Sequence, residues 1–91
     1  MTHTFEDVRK EIENTDSDWI VVFVDEYEGS YEAKVDVYLR GTFSATTFTL
    51  FVDSSQKTVY EEARETFALL KTFHPNVSTY KTAQQYVQAV L

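Results

Sequence analysis

The hydrophobic pattern changes along the first 24 residues, from helical spacing to a continuous apolar run. Apolar residues recur at helical spacing from Phe5 to Ile12, directly behind Thr4, whose hydroxyl is suited to cap a helix. We therefore predict a helix over residues 5–14. A continuous β-branched and aromatic run follows at residues 19–24, and it predicts a strand that is apolar on both faces.

Two further strands are predicted from alternation. Between residues 31 and 40 every second residue is apolar, which is typical of a strand with a core face and a solvent face. Residues 45–53 alternate in the same way, and short turns at 26–30 and 41–44 join the strands into an antiparallel meander. The alternation of the third strand assigns its residues to two faces, with Phe48, Leu50 and Val52 inward and Thr47, Thr49, Phe51 and Asp53 outward.

The last third of the chain is predicted to be helical. Ser54 or Ser55 opens a second helix, and His74-Pro75-Asn76 ends it. A third helix is predicted from Ser78 or Thr79 onward. The predicted fold is a single compact α+β domain over residues 1–91, in the order α-β-β-β-α-α, with a three-stranded antiparallel meander sheet packed against helices.

The outer face of this sheet raises a separate question. The strand at 19–24 places apolar side chains on that face, and Tyr38 and Phe51 are predicted to join them. Since an open sheet normally carries polar residues towards solvent, something must cover this one. Two arrangements remain open, cover by the third helix or cover by a partner, including a second copy in a homodimer.

Composition excludes several classes of protein. The chain of 91 residues has no cysteine, which excludes disulfides and thiolate chemistry. No segment approaches the roughly 20 apolar residues of a membrane span, and the amino terminus lacks the pattern of a secretion signal. We therefore expect a cytoplasmic protein that does not bind membranes.

Catalytic and metal-binding chemistry finds little support. The two histidines, His3 and His74, lie near a chain terminus and at a helix end. The segment from Asn14 to Asp18 resembles the start of a calcium loop, but Trp19 stands where that loop needs glycine. We interpret the segment as a helix-to-strand turn and predict no enzyme activity, no metal and no cofactor.

Acidic residues are concentrated in one part of the chain. The first 36 residues hold eleven acidic and three basic residues, a net charge of −8, whereas the other 55 hold four acidic and five basic residues, a net charge of +1. Such a surface attracts cations and repels phosphates, so we predict no direct binding of nucleic acid. Alternate strand residues lie about 6.6 to 6.8 Å apart, close to the spacing of phosphates along a nucleic-acid strand. The predicted partner-binding residues are Asp16, Asp18, Asp25, Glu26, Glu28, Glu32 and Asp36.

In length, acidity, lack of cysteine and α-β-β-β-α-α order, the chain resembles the small phage-encoded anti-CRISPR proteins that inhibit Cas9. Its opening from Thr4 to Ile12, before the first strand, is also similar to that group. The resemblance covers the whole chain as topology and charge. It implies a carboxylate-rich surface that occupies the site where the effector's arginines read the short duplex motif beside the target.

Two hypotheses of function follow. The first is a non-enzymatic inhibitor that binds a basic nucleic-acid-handling protein, such as a Cas9-type effector, by mimicking phosphates. The second is a small cytoplasmic structural or oligomeric interaction module that uses the apolar sheet face and is acidic only for solubility.

Overall fold

The computed structural model of the chain describes residues 2–72 and 74–80. Within these residues the elements are, in order, α1 (Phe5–Thr15), β1 (Trp19–Tyr27), β2 (Ser30–Tyr38), β3 (Ala45–Asp53), α2 (Gln56–Lys71) and β4 (Val77–Tyr80). The α+β class and the order α-β-β-β-α are confirmed.

The sheet is mixed and has the strand order β3-β2-β1-β4. The pairs β1–β2 and β2–β3 are antiparallel, as the predicted meander requires, but β4 runs parallel to β1, with Val77 opposite Ile20. The prediction of a sheet with only three antiparallel strands is therefore wrong. The predicted helix start at residue 78 is wrong as well, because residues 77–80 extend the sheet, and the remainder of that predicted helix lies outside the described residues.

Local sequence explains where both helices begin. The hydroxyl of Thr4 accepts a hydrogen bond from the Asp7 backbone nitrogen at 3.3 Å, while the Asp7 carboxylate accepts one from the Thr4 nitrogen at 2.9 Å. This reciprocal capping box satisfies two backbone donors at the start of α1. Ser55 caps α2 through its hydroxyl, as predicted. The first helix ends where Asp16 adopts a left-handed backbone, with φ of 50°.

Both helices pack against one face of the sheet. The main core lies between the helices and this face. Every second residue of β1 and β2 faces the helices, and Val22 and Val35 at the centre of this face are fully buried. The predicted core face of the second strand is thereby confirmed at Ala33, Val35 and Val37, whereas Leu39 lies beyond the end of β2 and is exposed. The buried residues of this core are Val8, Ile12, Ile20, Val22, Val24, Ala33, Val35, Val37, Phe48, Val59, Ala63, Leu70 and Val77.

A β-bulge in β3 reverses part of the predicted orientation. Lys34 lies opposite Thr49, but the preceding residue, Ala33, lies opposite Phe51, so one extra residue of β3 is inserted between them. Phe51 consequently packs against the helix-side core, and Val52 lies on the outer face with 46% of its surface exposed. The prediction that Val52 points inward and Phe51 outward is wrong, because simple alternation does not anticipate a bulge.

The outer face of the sheet carries a second, smaller apolar group. Val21, Phe23 and Tyr38 are buried there, with Trp19 packed against them. The rings of Trp19 and Tyr38 stack with their centroids 4.5 Å apart. β1 therefore carries apolar residues on both faces, as predicted. At Val21, Phe23 and Tyr38 the outer face is not open to solvent in the single chain.

Candidate partner-binding surface

The seven predicted binding carboxylates occupy two separate places. Asp16 and Asp18 lie between α1 and β1, and we call them the turn carboxylates. The other five lie on the β1–β2 hairpin, and we call them the hairpin carboxylates: Asp25, Glu26, Glu28, Glu32 and Asp36. At about 3.3 Å per strand residue, Asp18 and Asp25 are roughly 23 Å apart. The structure therefore does not bring the two groups into one cluster.

A two-residue turn, Glu28-Gly29, closes the hairpin, because Tyr27 lies directly opposite Ser30. The φ angles of the two turn residues are both positive, 50° and 79°, as in a type I′ turn. Glycine adopts this conformation freely, whereas for a side chain such as that of Glu28 it is unfavourable. The first position of such a turn favours Asn, Asp or Gly. Glu28 occupies this position although glutamate is not favoured in it.

The tip of the hairpin is exposed and carries two carboxylates. Glu26, Tyr27 and Glu28 are all exposed, and Tyr27 has 63% of its surface accessible. Within the part of the chain that the structure describes, neither Glu26 nor Glu28 forms an ion pair. The tip therefore presents two negative charges and an exposed aromatic ring, with Glu26 and Tyr27 at the end of β1 and Glu28 on a turn of defined geometry.

The other hairpin carboxylates are in a different environment, on the outer face of the sheet. Asp25 and Glu32 lie directly opposite each other, and the Lys34 ammonium nitrogen is 3.3 Å from an oxygen of Asp25 and 3.4 Å from an oxygen of Glu32. Burial alone would lower the pKa of Lys34, but the hydrogen bond to Asp25 and the negative charges of Glu32 and Asp25 outweigh it and raise that pKa. Lys34 therefore stays charged and partly neutralises both carboxylates.

Asp36 is the least suitable of the five for contact with a partner. Its Oδ1 accepts a hydrogen bond from the Thr47 hydroxyl at 2.5 Å, and the side chain is half-buried. Burial raises the pKa of Asp36, against the opposing effects of Thr47 and Lys34. Along the outer face of β2, the ammonium group of Lys34 therefore lies between the carboxylates of Glu32 and Asp36. This positive charge interrupts the predicted row of evenly spaced negative charges.

The turn carboxylates hold the opposite end of the sheet together. The Arg40 Nε lies 2.8 Å from Asp16 Oδ2 and donates to the Asp16 carbonyl at 2.9 Å. Asp18 accepts a hydrogen bond from the Gly41 nitrogen at 3.3 Å through its carboxylate, and one from the Asn76 side chain at 2.7 Å through its carbonyl. These contacts tie the α1–β1 turn to the β2–β3 loop and to the start of β4.

The histidines make structural contacts. His74 Nδ1 accepts a hydrogen bond from the Asn76 nitrogen at 3.1 Å, so Nε2 carries the proton and donates it to the Ser17 carbonyl at 2.8 Å. His3 meets the ring of Phe48 edge-on, with centroids 5.2 Å apart. Among the described residues, no group of three or more His, Asp and Glu side chains is placed to hold a metal ion. None of the helices there is long and apolar enough to cross a membrane.

Sequence reasoning missed the basic residues that organise these carboxylates. The alternation of residues 31–40 places Lys34 and Arg40 on the face of the strand away from the core, but it does not indicate which carboxylates they pair with. One signal in the sequence could have indicated the pairing of Lys34 with Asp25 and Glu32. If Gly29 is taken as the second residue of a two-residue turn, the register of the hairpin is fixed and Asp25 lies opposite Glu32. The pairing of Arg40 with Asp16 joins residues 24 positions apart across a loop, and no local pattern announces it.

Comparisons with known protein families, with curated proteins and with solved structures give no match.

Proposed function

We propose that this protein is a non-enzymatic inhibitor that binds a basic nucleic-acid-handling protein, and that its hairpin tip enters the cleft in which the partner binds phosphates. The observation that carries the proposal is the exposed pair of Glu26, near the end of β1, and Glu28, on a two-residue turn of defined geometry. Carboxylates on an ordered backbone attract arginine and lysine side chains without the cost of ordering a loop.

Charge around the tip supports this role. Residues 25–36 contain five acidic residues and one basic residue, which gives a net charge of −4. Lys34 pairs with Asp25 and Glu32 on the outer face, and no ion pair within the described residues involves Glu26 or Glu28. The exposed ring of Tyr27, which lies between them in the sequence, offers a face for contact with a partner's cation.

The backbone at Glu28 provides a second, independent argument. A glutamate in the left-handed region destabilises the turn relative to Asn or Gly, and no packing compensates it because the side chain is exposed. Residues kept in unfavourable backbone conformations occur preferentially at functional sites, where the side chain is needed for contact. Glu28 fits that description.

The partner class follows from chemistry, and the resemblance to anti-CRISPR proteins gives the first protein to test. A guide-loaded Cas9-type effector reads its duplex motif through arginines in a positively charged channel, which is the kind of surface that the hairpin tip complements. Binding there would compete with duplex DNA and would take place in the cytoplasm.

A pair of charge-matched variants tests the proposal. The double substitution Glu26→Lys and Glu28→Lys changes the net charge from −7 to −3, and so does the double substitution Glu61→Lys and Glu65→Lys on the exposed side of α2. We expect wild type to inhibit DNA cleavage by the effector and to be displaced by duplex DNA. The hairpin variant should lose at least about tenfold in affinity, and the α2 variant much less. Equal losses in both variants, or no binding by wild type to basic DNA-binding proteins, would refute the proposal.

Glu28→Asn separates binding from folding. Asn-Gly is the sequence that a type I′ turn favours, so this substitution should raise the free energy of unfolding by about 0.5 kcal/mol. It removes one of the two tip charges, so binding should weaken. Greater stability together with weaker binding cannot be explained by loss of structure, whereas unchanged binding would remove Glu28 from the interface.

A further inference from the structure

At the end of the sheet opposite the hairpin tip, the surface forms a shallow depression of about 390 Å³. It lies where β1 begins, beside the β2–β3 loop and the start of β4. Its lining residues are Asp18, Trp19, Gly41, Thr42, Phe43 and Asn76. Of these residues, the sequence predicted only Asp18 as a binding residue, because the lining brings together three segments that are distant along the chain.

Phe43 is the most unusual residue of this lining. Its surface is 94% exposed, so it contributes almost nothing to the core of its own chain. The loop that carries it is nonetheless held by hydrogen bonds, from the Leu39 nitrogen to the Ser44 carbonyl at 3.0 Å and from the Thr42 nitrogen to the Leu39 carbonyl at 3.0 Å. A large aromatic side chain presented on a fixed loop is typical of a contact residue for a partner.

Trp19 provides the second aromatic surface of the depression. It is half-buried, and its ring is held by stacking on Tyr38 and by an interaction of its Nε1 with the Ser78 hydroxyl at 3.5 Å. Its position is therefore set before any ligand arrives. Trp19 and Phe43 together give the depression two aromatic side chains, one held by packing and one exposed on a hydrogen-bonded loop.

Asp18 gives the depression its charge. One carboxylate oxygen accepts the Gly41 N–H at 3.3 Å, and the other makes no hydrogen bond within the described residues. The nearby cation, Arg40, is paired with Asp16 at 2.8 Å and so does not neutralise Asp18. The lining therefore combines a carboxylate with aromatic surface, while an anionic ligand would be repelled by Asp18 and by the net charge of −7.

We propose that this depression binds the guanidinium group of an arginine side chain on a partner protein. A guanidinium is planar and weakly hydrated, so it stacks on aromatic rings while its N–H groups bond a carboxylate in its own plane. A lysine ammonium lacks that planarity and fits the same lining less well. The proposal rests on the proposed function, in that the partner is a basic protein, and it adds a second contact at the other end of the domain.

Trp19 is the only tryptophan of the chain, so its fluorescence reports directly on the depression. The probe is the blocked tripeptide acetyl-Gly-Arg-Gly-amide, compared with the same peptide carrying lysine or citrulline in place of arginine. We expect a saturable change with arginine, weaker binding with lysine, and at least about tenfold weaker binding with citrulline, which has a similar shape but no charge. Equal responses to arginine and citrulline, or no saturable response to arginine, would overturn the proposal.

Two variants locate the binding within the lining. Asp18→Asn keeps an acceptor oxygen for the Gly41 N–H, and Phe43→Ala removes an exposed ring, so neither should unfold the domain. Each substitution should weaken the binding of the arginine peptide by about tenfold. The matched controls are Glu61→Gln, which removes one exposed charge elsewhere, and Leu39→Ala, which shortens an exposed apolar side chain of the same loop outside the lining. Unchanged binding in both lining variants, or equal loss in the controls, would refute the site.

The two proposals fail separately. If the arginine peptide binds wild type and the hairpin variant alike, but the hairpin variant still inhibits the effector, the proposed function fails and the arginine site stands. If the hairpin substitutions abolish inhibition while the peptide never binds, the arginine site alone is wrong.

Discussion

The two faces of the sheet differ in what their side chains do. On the helix side, the residues of β1 and β2 are apolar up to the hairpin end, where Glu26 lies, and Val22 and Val35 at their centre are fully buried. On the outer side, the aromatic stack of Trp19 and Tyr38 gives way along β2 to the half-buried ion pairs of Lys34. The helix face therefore determines whether the chain folds, whereas the part of the outer face around Lys34 can vary in charge at moderate cost, and the hairpin tip is exposed and available for recognition.

The largest expected effect comes from a charge on the helix face. Val35→Asp would bury an ionised carboxylate without a partner among apolar side chains, and we expect a loss of more than about 4 kcal/mol, close to the whole stability of a small domain. Urea unfolding followed by circular dichroism measures it. Val35→Ala, which only removes volume, should cost about 2 kcal/mol and keep a cooperative transition. A well-folded Val35→Asp protein would contradict this account of the core.

The bulge in β3 gives the next largest contrast between the faces. Phe51→Lys should destabilise the domain by about 2 to 3 kcal/mol because Phe51 packs against the helix-side core, while Val52→Lys should change stability by less than about 0.5 kcal/mol. Simple alternation of β3 predicts the reverse order. Thermal unfolding of the two variants therefore decides between the bulged register and the regular one.

The same residues show why sequence predicted only part of the fold. Thr4 and Ser55 caps, helical spacing and alternation are local signals, and they located both helices and the first three strands. The bulge and β4 have no local signal, because each depends on how its residues pair with a neighbouring strand. Val77–Tyr80 is too short for a period to show, and its strand conformation comes from parallel pairing with β1, more than 50 residues earlier.

The candidate surface divides in the same way. Composition located the acidic segment, and the turn at Glu28-Gly29 is visible in the sequence once its two-residue length is recognised. Which carboxylates are neutralised depends on register and loop packing, as the pairs of Lys34 and Arg40 show. The depression at Asp18 and Phe43 assembles only in three dimensions, so sequence reasoning could not have found it.

Lys34→Met tests the ion pairs of the outer face. Methionine keeps the length of the side chain but leaves Asp25 and Glu32 opposite each other without a counter-charge, so we expect a loss of about 1 to 2 kcal/mol. The pKa of Lys34 is raised by folding, so its stabilising contribution is present below the pKa of the unfolded chain and is lost as the pH rises through the raised value. The difference between wild type and variant should therefore shrink in alkaline urea titrations. A difference that stays constant with pH would mean that packing of the Lys34 stem, and not its charge, stabilises this face.

A smaller effect than that of Lys34→Met, and one of opposite sign, is expected for Asp36→Asn. Burial raises the pKa of Asp36 above that of the unfolded chain, so the folded state binds this proton more readily. The favourable contribution is therefore complete at low pH and is lost as the pH rises through the raised value. Asparagine has no charge to bury, and its side-chain oxygen can still accept the Thr47 hydroxyl. We expect Asp36→Asn to be more stable than wild type by about 0.5 to 1 kcal/mol at neutral pH and equal to it in acid. A variant that is less stable at neutral pH would show that attraction to Lys34 outweighs burial, and Asp36 would then belong to the ion-pair network of the outer face.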